Sequence, residues 1–111
     1  MKRRVVVTGM AAITPLGTGL ESYWRNLVEG RSGVGPITRF DTSGYPVTFG
    51  AEVRDFDPVQ FIDRREAKRM DRFTQFAVAA TRMALEDAGL SESDLVGERS
   101  GVLLGTGIGG I

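Results

Sequence analysis

Three short apolar runs along the chain have the pattern of β-strands. Val5–Val7 is β-branched without polar alternation, which is typical of a strand buried on both faces of a sheet. From Val47 to Val53, apolar positions alternate with polar or glycine positions, which predicts a half-buried strand whose polar face meets water. The third run, Gly101–Gly105, encloses Val-Leu-Leu and predicts a further buried strand.

Helical spacing predicts a short amphipathic helix after the first of these runs. Apolar residues recur at helical intervals over Leu20–Val28, and Gly30 is placed to end the helix. Thr18 and Glu21 have the spacing of a capping box, so we expect the Thr18 side chain to cap it. The glycines and prolines that follow, from Gly30 to Tyr45, interrupt every period and predict a surface loop.

The longest predicted element is a second helix. Asp57-Pro58 opens a short helical segment that ends near Ile62, and Asp63 with Glu66 then has capping-box spacing again. A continuous helix is expected from there to Gly89, with one face held by Met70, Phe73, Ala77, Ala80, Ala84 and Ala88. Followed by the strand at 101–105, it predicts a right-handed crossover.

The composition excludes several chemistries. The 111 residues include neither Cys nor His, so the chain supplies no thiol nucleophile, imidazole base or Cys/His zinc site. Fourteen basic residues balance fourteen acidic ones, which argues against a general nucleic-acid or membrane-surface binder. No apolar run is long enough for membrane insertion, and we expect a cytoplasmic protein.

A cluster of positive charge stands out against this neutral background. Five basic residues occur within nine positions, against Glu66 and Asp71 only; this basic cluster comprises Arg64, Arg65, Lys68, Arg69 and Arg72. On a continuous helix it would cover a sector of about 140° away from the apolar face. One interpretation is a solvated helix face with local acidic partners. The other is a docking surface for an acidic partner, since basic charge near a helix N-terminus opposes the macrodipole.

The glycine-rich end of the chain is a second candidate site. Residues 105–110 formally match G-x-G-x-x-G, whose glycines can admit a pyrophosphate, but neither the following helix nor the later acidic residue occurs before Ile111. A glycine turn lining a cavity is the favoured interpretation, and the chain is expected to be truncated here. The aromatic residues at core spacing are interpreted as packing; they are Tyr23, Trp24, Phe73 and Phe76.

Several short motifs follow one another along the chain at characteristic spacings. They are Val5–Gly9, Thr14–Gly17, Trp24, Gly30–Gly33, Phe40-Asp41, Arg64–Asp71, Glu86–Gly89 and Gly105–Gly110. Each motif is weakly specific, but their succession from Val5 to Ile111 is strongly so. Taken in order, they resemble the N-terminal part of a β-ketoacyl-acyl-carrier-protein synthase, the type II elongating condensing enzyme of fatty acid synthesis.

The resemblance implies an α/β, thiolase-like fold, of which this chain would be the N-terminal portion of one mixed-sheet half with flanking helices. Residues 1–111 would then be about the first quarter of an acyltransferase that is a homodimer when complete and needs no cofactor. The family's catalytic Cys, two His and Lys would lie beyond Ile111, so the segment alone is predicted to be inactive. The family reaction is a decarboxylative Claisen condensation of an acyl group with a malonyl carrier protein.

Two sets of residues carry over from the family. Arg65, Lys68 and Arg69, with Arg64 and Arg72 beside them, match the basic patch that docks acyl carrier protein. Ile108 matches a position lining the tunnel for the acyl-chain substrate, with a core isoleucine as the alternative. Two other functions stay open, a non-catalytic carrier-protein docking fragment and a Rossmann-type nucleotide binder.

Overall fold

Helices and short antiparallel strand pairs make up the regular structure of the chain, whose computed structural model describes residues 2–110. The backbone divides into two units. One is Ala12–Phe56, and the other combines residues 2–11 with residues 57–110.

The unit Ala12–Phe56 begins with a tight hairpin that leads into the first helix. Strand β1 (Ile13–Thr14) pairs antiparallel with β2 (Gly17–Thr18), and helix α1 follows as Leu20–Val28, which confirms the predicted helix. The capping box is wrong, because Gly19 is the N-cap residue and makes no side-chain cap. The Thr18 backbone N–H instead donates to the Asp55 carboxylate at 3.1 Å, which ties the hairpin to the end of the unit.

A second hairpin completes this unit. Strand β3 (Val34–Pro36), within the predicted loop, pairs antiparallel with β4 (Phe49–Ala51), the middle of the predicted strand. The predicted facing of β4 is wrong: Phe49 is 62% exposed and Gly50 is half-buried. The Ile37 side chain covers Gly50 and so buries the glycine position instead of its apolar neighbours. A Cβ built at Gly50 would lie 3.4 Å from Cγ1 of Ile37.

The other unit is mainly helical and carries the caps that the sequence predicts. Asp57 accepts from the Val59 N–H at 3.2 Å and starts a 3₁₀ helix (Pro58–Gln60). Asp63 accepts from the Arg65 N–H at 2.8 Å and starts helix α2 (Arg64–Ala67). Helix α3 is Arg72–Asp87, and a 3₁₀ helix (Glu92–Asp94) follows it.

The predicted continuous helix from Asp63 to Gly89 is wrong, because residues 68–71 interrupt it. We call this interruption the α2–α3 turn. Asp71 adopts an extended conformation, with φ −64° and ψ 156°, and serves as the N-cap residue of α3. The break comes at a residue type that favours caps over helix interiors.

The two predicted buried strands do not form among the described residues. Val5–Val7 and residues 101–105 lack a paired neighbour there, so the predicted crossover is wrong for residues 2–110. Their side chains are exposed to solvent: Val5 is 93% exposed and Leu103 is 97% exposed. A strand buried on both faces needs hydrogen-bonded neighbours and covering layers, and the described residues provide neither.

Few apolar side chains are buried among the described residues. They are Phe56 in the unit Ala12–Phe56, and Ile62, Ala67 and Ala79 in the other unit. Trp24 is 64% exposed and Phe73 39% exposed, so their predicted core packing is wrong, while Tyr23 and Phe76 are half-buried. No helix within residues 2–110 is long and apolar enough to cross a membrane. Over the same residues, no three carboxylates come together in a way that could hold a metal ion.

Gly9 packs directly against the C-terminal end of α3. A Cβ at Gly9 would lie 2.7 Å from both the Cβ and the backbone N of Ala88, and it would also collide with the Ala84 carbonyl oxygen. The adjacent Met10 N–H donates to the Asp87 carboxylate at 2.8 Å. Glycine at position 9 therefore permits the close approach that holds the N-terminal segment to the helix.

We expect Gly9→Ala to lower the free energy of unfolding by about 1–3 kcal/mol, because the colliding atoms include helix backbone that cannot rotate away. The measurement is denaturant unfolding of the full-length protein. Gly101→Ala is the matched control, since a Cβ at Gly101 meets nothing within 4 Å. It should change stability by less than about 0.5 kcal/mol. Equal effects of the two substitutions would contradict the proposed packing of Gly9.

Candidate docking surface

The basic cluster lies across two helices and the turn between them. Arg64 and Arg65 are the first two residues of α2, Lys68 is its C-cap residue, and Arg72 is the first residue of α3. Arg69 lies in the α2–α3 turn. The structure thus keeps the five cations in one region but corrects their arrangement, from a stripe on one helix to a bent surface.

Four of these cations are exposed and have no ion pair within residues 2–110. The ion pairs of that part of the chain are Arg31–Glu29, Arg54–Glu52 and Arg82–Glu92. Arg64, Arg65, Lys68 and Arg69 do not contribute to them. Neither Glu66 nor Asp71 therefore serves as the local partner that the solvated-face interpretation requires.

Arg72 differs from the other four members of the basic cluster. Its side chain is half-buried, and its guanidinium carbon lies 4.9 Å from the centre of the Phe76 ring, a cation–π geometry. Phe76 lies one helical turn further along α3. The ring fixes this guanidinium at the edge of the cluster, whereas the other cations extend into solvent.

The backbone under the basic cluster is held by short-range hydrogen bonds. The Arg69 N–H donates to the Glu66 carbonyl at 2.9 Å, and Ala67 is buried beneath the turn. The Gln75 side-chain amide reaches back from α3 to the carbonyls of Ala67 and Met70. Sequence periodicity does not single out Gln75, because its contacts depend on the helix break, which the pattern does not predict.

The glycine-rich end returns to the first turn of α3. A Cβ at Gly109 would lie 3.8 Å from Phe73 Cε1, and one at Gly110 would collide with the Asp71 carboxylate. The Thr106 hydroxyl accepts from the Gly109 N–H at 3.1 Å. Ile108 is 76% exposed, so the alternative of a core isoleucine is wrong for the described residues. The structure thus brings the two predicted site regions next to each other.

Three carboxyl groups elsewhere in the chain have pKa values below their ordinary range. Hydrogen bonds from Ser43 lower the pKa of Asp41, and hydrogen bonds from Thr38, its hydroxyl first, lower that of Glu52. Hydrogen bonds from Ser91 lower the pKa of Asp94. Asp41 and Asp94 accept from serines two or three residues away, whereas Glu52 accepts from Thr38 and Arg39 across the second hairpin, so these carboxylates fix local structure and are not part of the basic cluster.

An apolar groove of about 440 Å³ lies along another side of α3. The Arg82 guanidinium at its edge donates to the Phe61 carbonyl and pairs with Glu92 at 3.8 Å. Residues of α3 and of the segment after it line the groove; they include Ala77, Val78, Leu85, Leu95, Val102 and Leu104.

Two solved ketosynthase structures are similar to this chain. One, the ishigamide ketosynthase/chain length factor, has a TM-score of 0.79 and 50% identity, covering 86% of this chain and 24% of that chain. In the other, a type II PKS acyl-carrier protein is in complex with its ketosynthase bound to the hexaketide. That match has a TM-score of 0.65 and 31% identity, over 89% of this chain and 22% of the other. The ketosynthase neighbours confirm the predicted α/β, thiolase-like fold.

The family follows from the sequence comparison. Residues 2–111 match the family model of the N-terminal domain of β-ketoacyl synthases, and the chain belongs to that family. It is 59% identical over 110 residues to 3-oxoacyl-[acyl-carrier-protein] synthase 2 of Synechocystis sp., covering 99% of this chain and 26% of the relative. The protein of the same name from Coxiella burnetii is 47% identical, with 99% and 27% covered. The chain spans about a quarter of the length of these curated relatives.

Proposed function

We propose that this chain is the N-terminal part of a condensing enzyme that elongates acyl chains in fatty acid synthesis. The support comes from relatives named 3-oxoacyl-[acyl-carrier-protein] synthase 2, which align with nearly the whole chain. The complete protein would be an acyltransferase, cytoplasmic and homodimeric, that acts without a cofactor. Residues 1–111 alone would be inactive.

The proposed reaction has two stages, and neither uses a nucleophile from this chain. An acyl group first moves from its carrier-protein thioester to an enzyme thiol, which releases the carrier thiol. Malonyl carrier protein then loses CO₂, and the resulting carbanion attacks the acyl thioester, releases the enzyme thiol and forms a 3-oxoacyl carrier protein. Because this chain contains no Cys and no His, the thiol and any imidazole would belong to other parts of the complete protein.

The role we propose for this chain is to dock acyl carrier protein on the basic cluster. The observation that carries this proposal is the set of exposed cations at Arg64, Arg65, Lys68 and Arg69, unpaired within residues 2–110 of a chain with zero formal net charge. Concentrated like charge accelerates the approach of an oppositely charged partner and orients it. The solved ketosynthase that holds its own acyl-carrier protein is consistent with such a partner.

We assign Ile108 to the wall of the acyl-chain site. Its side chain is exposed, and glycines precede and follow it, so an acyl tail could contact it without a bulky neighbour. The backbone of the same glycine-rich segment lies against Asp71 and Phe73, close to the basic cluster. A carrier protein docked on the cluster would therefore deliver its acyl chain near Ile108.

The two alternative functions receive less support. Nucleotide binding would need a strand before the glycine-rich segment, and residues 101–105 form none among those described. A non-catalytic docking fragment would use the same basic cluster. A docking fragment would bind the carrier protein without catalysing condensation. An assay of carbon–carbon bond formation by the full-length protein therefore distinguishes the docking fragment from the synthase.

The experiment combines an activity assay with carrier-protein binding kinetics. The full-length protein should release CO₂ from malonyl carrier protein and form a 3-oxoacyl product. Its association rate with acyl carrier protein should fall several-fold between low and high salt, because the Debye length shrinks from about 30 Å at 0.01 M to about 10 Å at 0.1 M. Binding without condensation would favour the docking fragment. A salt-independent association rate would remove the basic cluster from the proposal.

A further inference from the structure

Two of the backbone hydrogen bonds that close α2 are long. Helix α2 has only four residues, and its Arg64 carbonyl accepts from the Lys68 N–H at 3.4 Å. The Ala67 carbonyl accepts from the Met70 N–H at 3.3 Å, close to the limit of a useful hydrogen bond. A short helix that ends on such long hydrogen bonds gains stability from an additional donor.

Gln75 supplies such a donor from the first turn of α3. Its side-chain amide nitrogen donates to the Ala67 carbonyl at 2.8 Å and lies 3.4 Å from the Met70 carbonyl. Its backbone N–H donates to the Asp71 carbonyl at 3.0 Å. The side chain is half-buried, so water competes weakly for these acceptors. One residue therefore connects the end of α2, the α2–α3 turn and the start of α3.

These contacts bear on the relative placement of the cations on α2 and on α3. Arg64 and Arg65 lie in α2 and Lys68 is its C-cap residue, whereas Arg72 lies in α3. The relative placement of the two charge groups depends on the turn between them, and Gln75 bridges that turn. We infer that Gln75 is a positioning residue, which sets the bend of the basic cluster to fit the carrier protein. This inference rests on the docking function proposed above.

Loss of the Gln75 donors should have a kinetic signature different from loss of charge. The cations would all remain, so the long-range field and the association rate should change little. A looser α2–α3 turn would match the surface of the docked partner less well. Such a mismatch mainly raises the dissociation rate of the complex. The loss of one or two such hydrogen bonds should raise the dissociation rate about three- to tenfold.

The test compares Gln75→Met with Gln60→Met in the full-length protein. Methionine keeps the length and helix preference of glutamine but cannot donate. Gln60 lies exposed in the 3₁₀ helix and is the other glutamine of the chain, which makes it a matched control. We expect faster dissociation of acyl carrier protein from the Gln75 variant only. Equal dissociation rates for wild type and both variants would overturn the inference.

Thermal unfolding separates positioning from general stability. A smaller folded fraction lowers the binding amplitude but leaves the dissociation rate of bound carrier unchanged. If Gln75→Met does not fold, Gln75→Glu replaces it, since an acidic residue is favourable in the first turn of α3. Ionised glutamate cannot donate, whereas its protonated form can. Its dissociation rate relative to wild type should therefore fall as the pH is lowered, and a pH-independent ratio would contradict the inference.

The outcomes also distinguish this inference from the proposed function. If the wild-type protein shows no salt-dependent association with acyl carrier protein, the docking function fails. If the wild type binds in that way and Gln75→Met dissociates at the wild-type rate, only the positioning role fails.

Discussion

Reversing Arg65 and Lys68 to glutamate together should slow association with acyl carrier protein at least about tenfold in the full-length protein. The change turns two exposed cations of the basic cluster, neither of them ion-paired within residues 2–110, into anions, and steering depends on the summed field over the cluster. Folding should survive, because both side chains are exposed. The measurement is stopped-flow association at two salt concentrations, with circular dichroism to confirm the fold.

A second double reversal, Lys2→Glu with Arg3→Glu, is the matched control for this prediction. It makes the same change in net charge with the same two residue types, at exposed positions outside the basic cluster. We expect it to slow association much less, because the effect of an exposed charge decays over the Debye length. Similar slowing by both double variants would show that overall charge, rather than the basic cluster, governs the encounter.

The isolated 111-residue chain should bind an apolar dye strongly and unfold without a cooperative transition. Few of its described apolar side chains are buried, while Val5, Val7 and Leu103 are 93%, 77% and 97% exposed. The groove along α3 adds an open apolar surface of the kind such dyes occupy. Marginal stability is expected when so little apolar area is removed from water.

Dye fluorescence and calorimetry check this prediction, with the full-length protein as the reference. The full-length protein should bind little dye per molecule and give a sharp transition. A sharp transition of the isolated chain without dye binding would show that residues 1–111 are a self-sufficient domain. The prediction would then be wrong, and the exposed apolar runs would need another explanation.

Features decided by neighbouring residues were the most predictable part of the fold. Asp57 and Asp63 cap the segments that they precede, as their spacing predicts, because a cap needs only the next few backbone amides. The helix α1 likewise ends where Gly30 adopts a φ of +68°. The basic cluster was identified from the sequence for a similar reason, since five cations within nine residues stay close in any local structure.

Features that depend on distant residues were not predictable in this way. The apolar run Val5–Val7 has a strand pattern, but a strand also needs a partner, which the described residues do not provide. The interruption at residues 68–71 replaced the predicted single helix, and with it the shape of the basic cluster changed. Gln75 became visible only once that interruption was known, because its acceptors lie on the far side of it.

Because a Cβ at Gly110 would collide with the Asp71 carboxylate, a substitution at Gly110 requires the Asp71 side chain to rotate away. On the function proposed above, libraries that replace the glycines around Ile108 in order to select for acyl chains of another length would displace the side chain of the N-cap residue of α3, which lies next to Arg72 of the basic cluster. We therefore expect some clones from such a selection to differ also in carrier-protein binding. Selection for chain length should therefore be run with each carrier protein of interest present, rather than with one carrier assumed to be neutral.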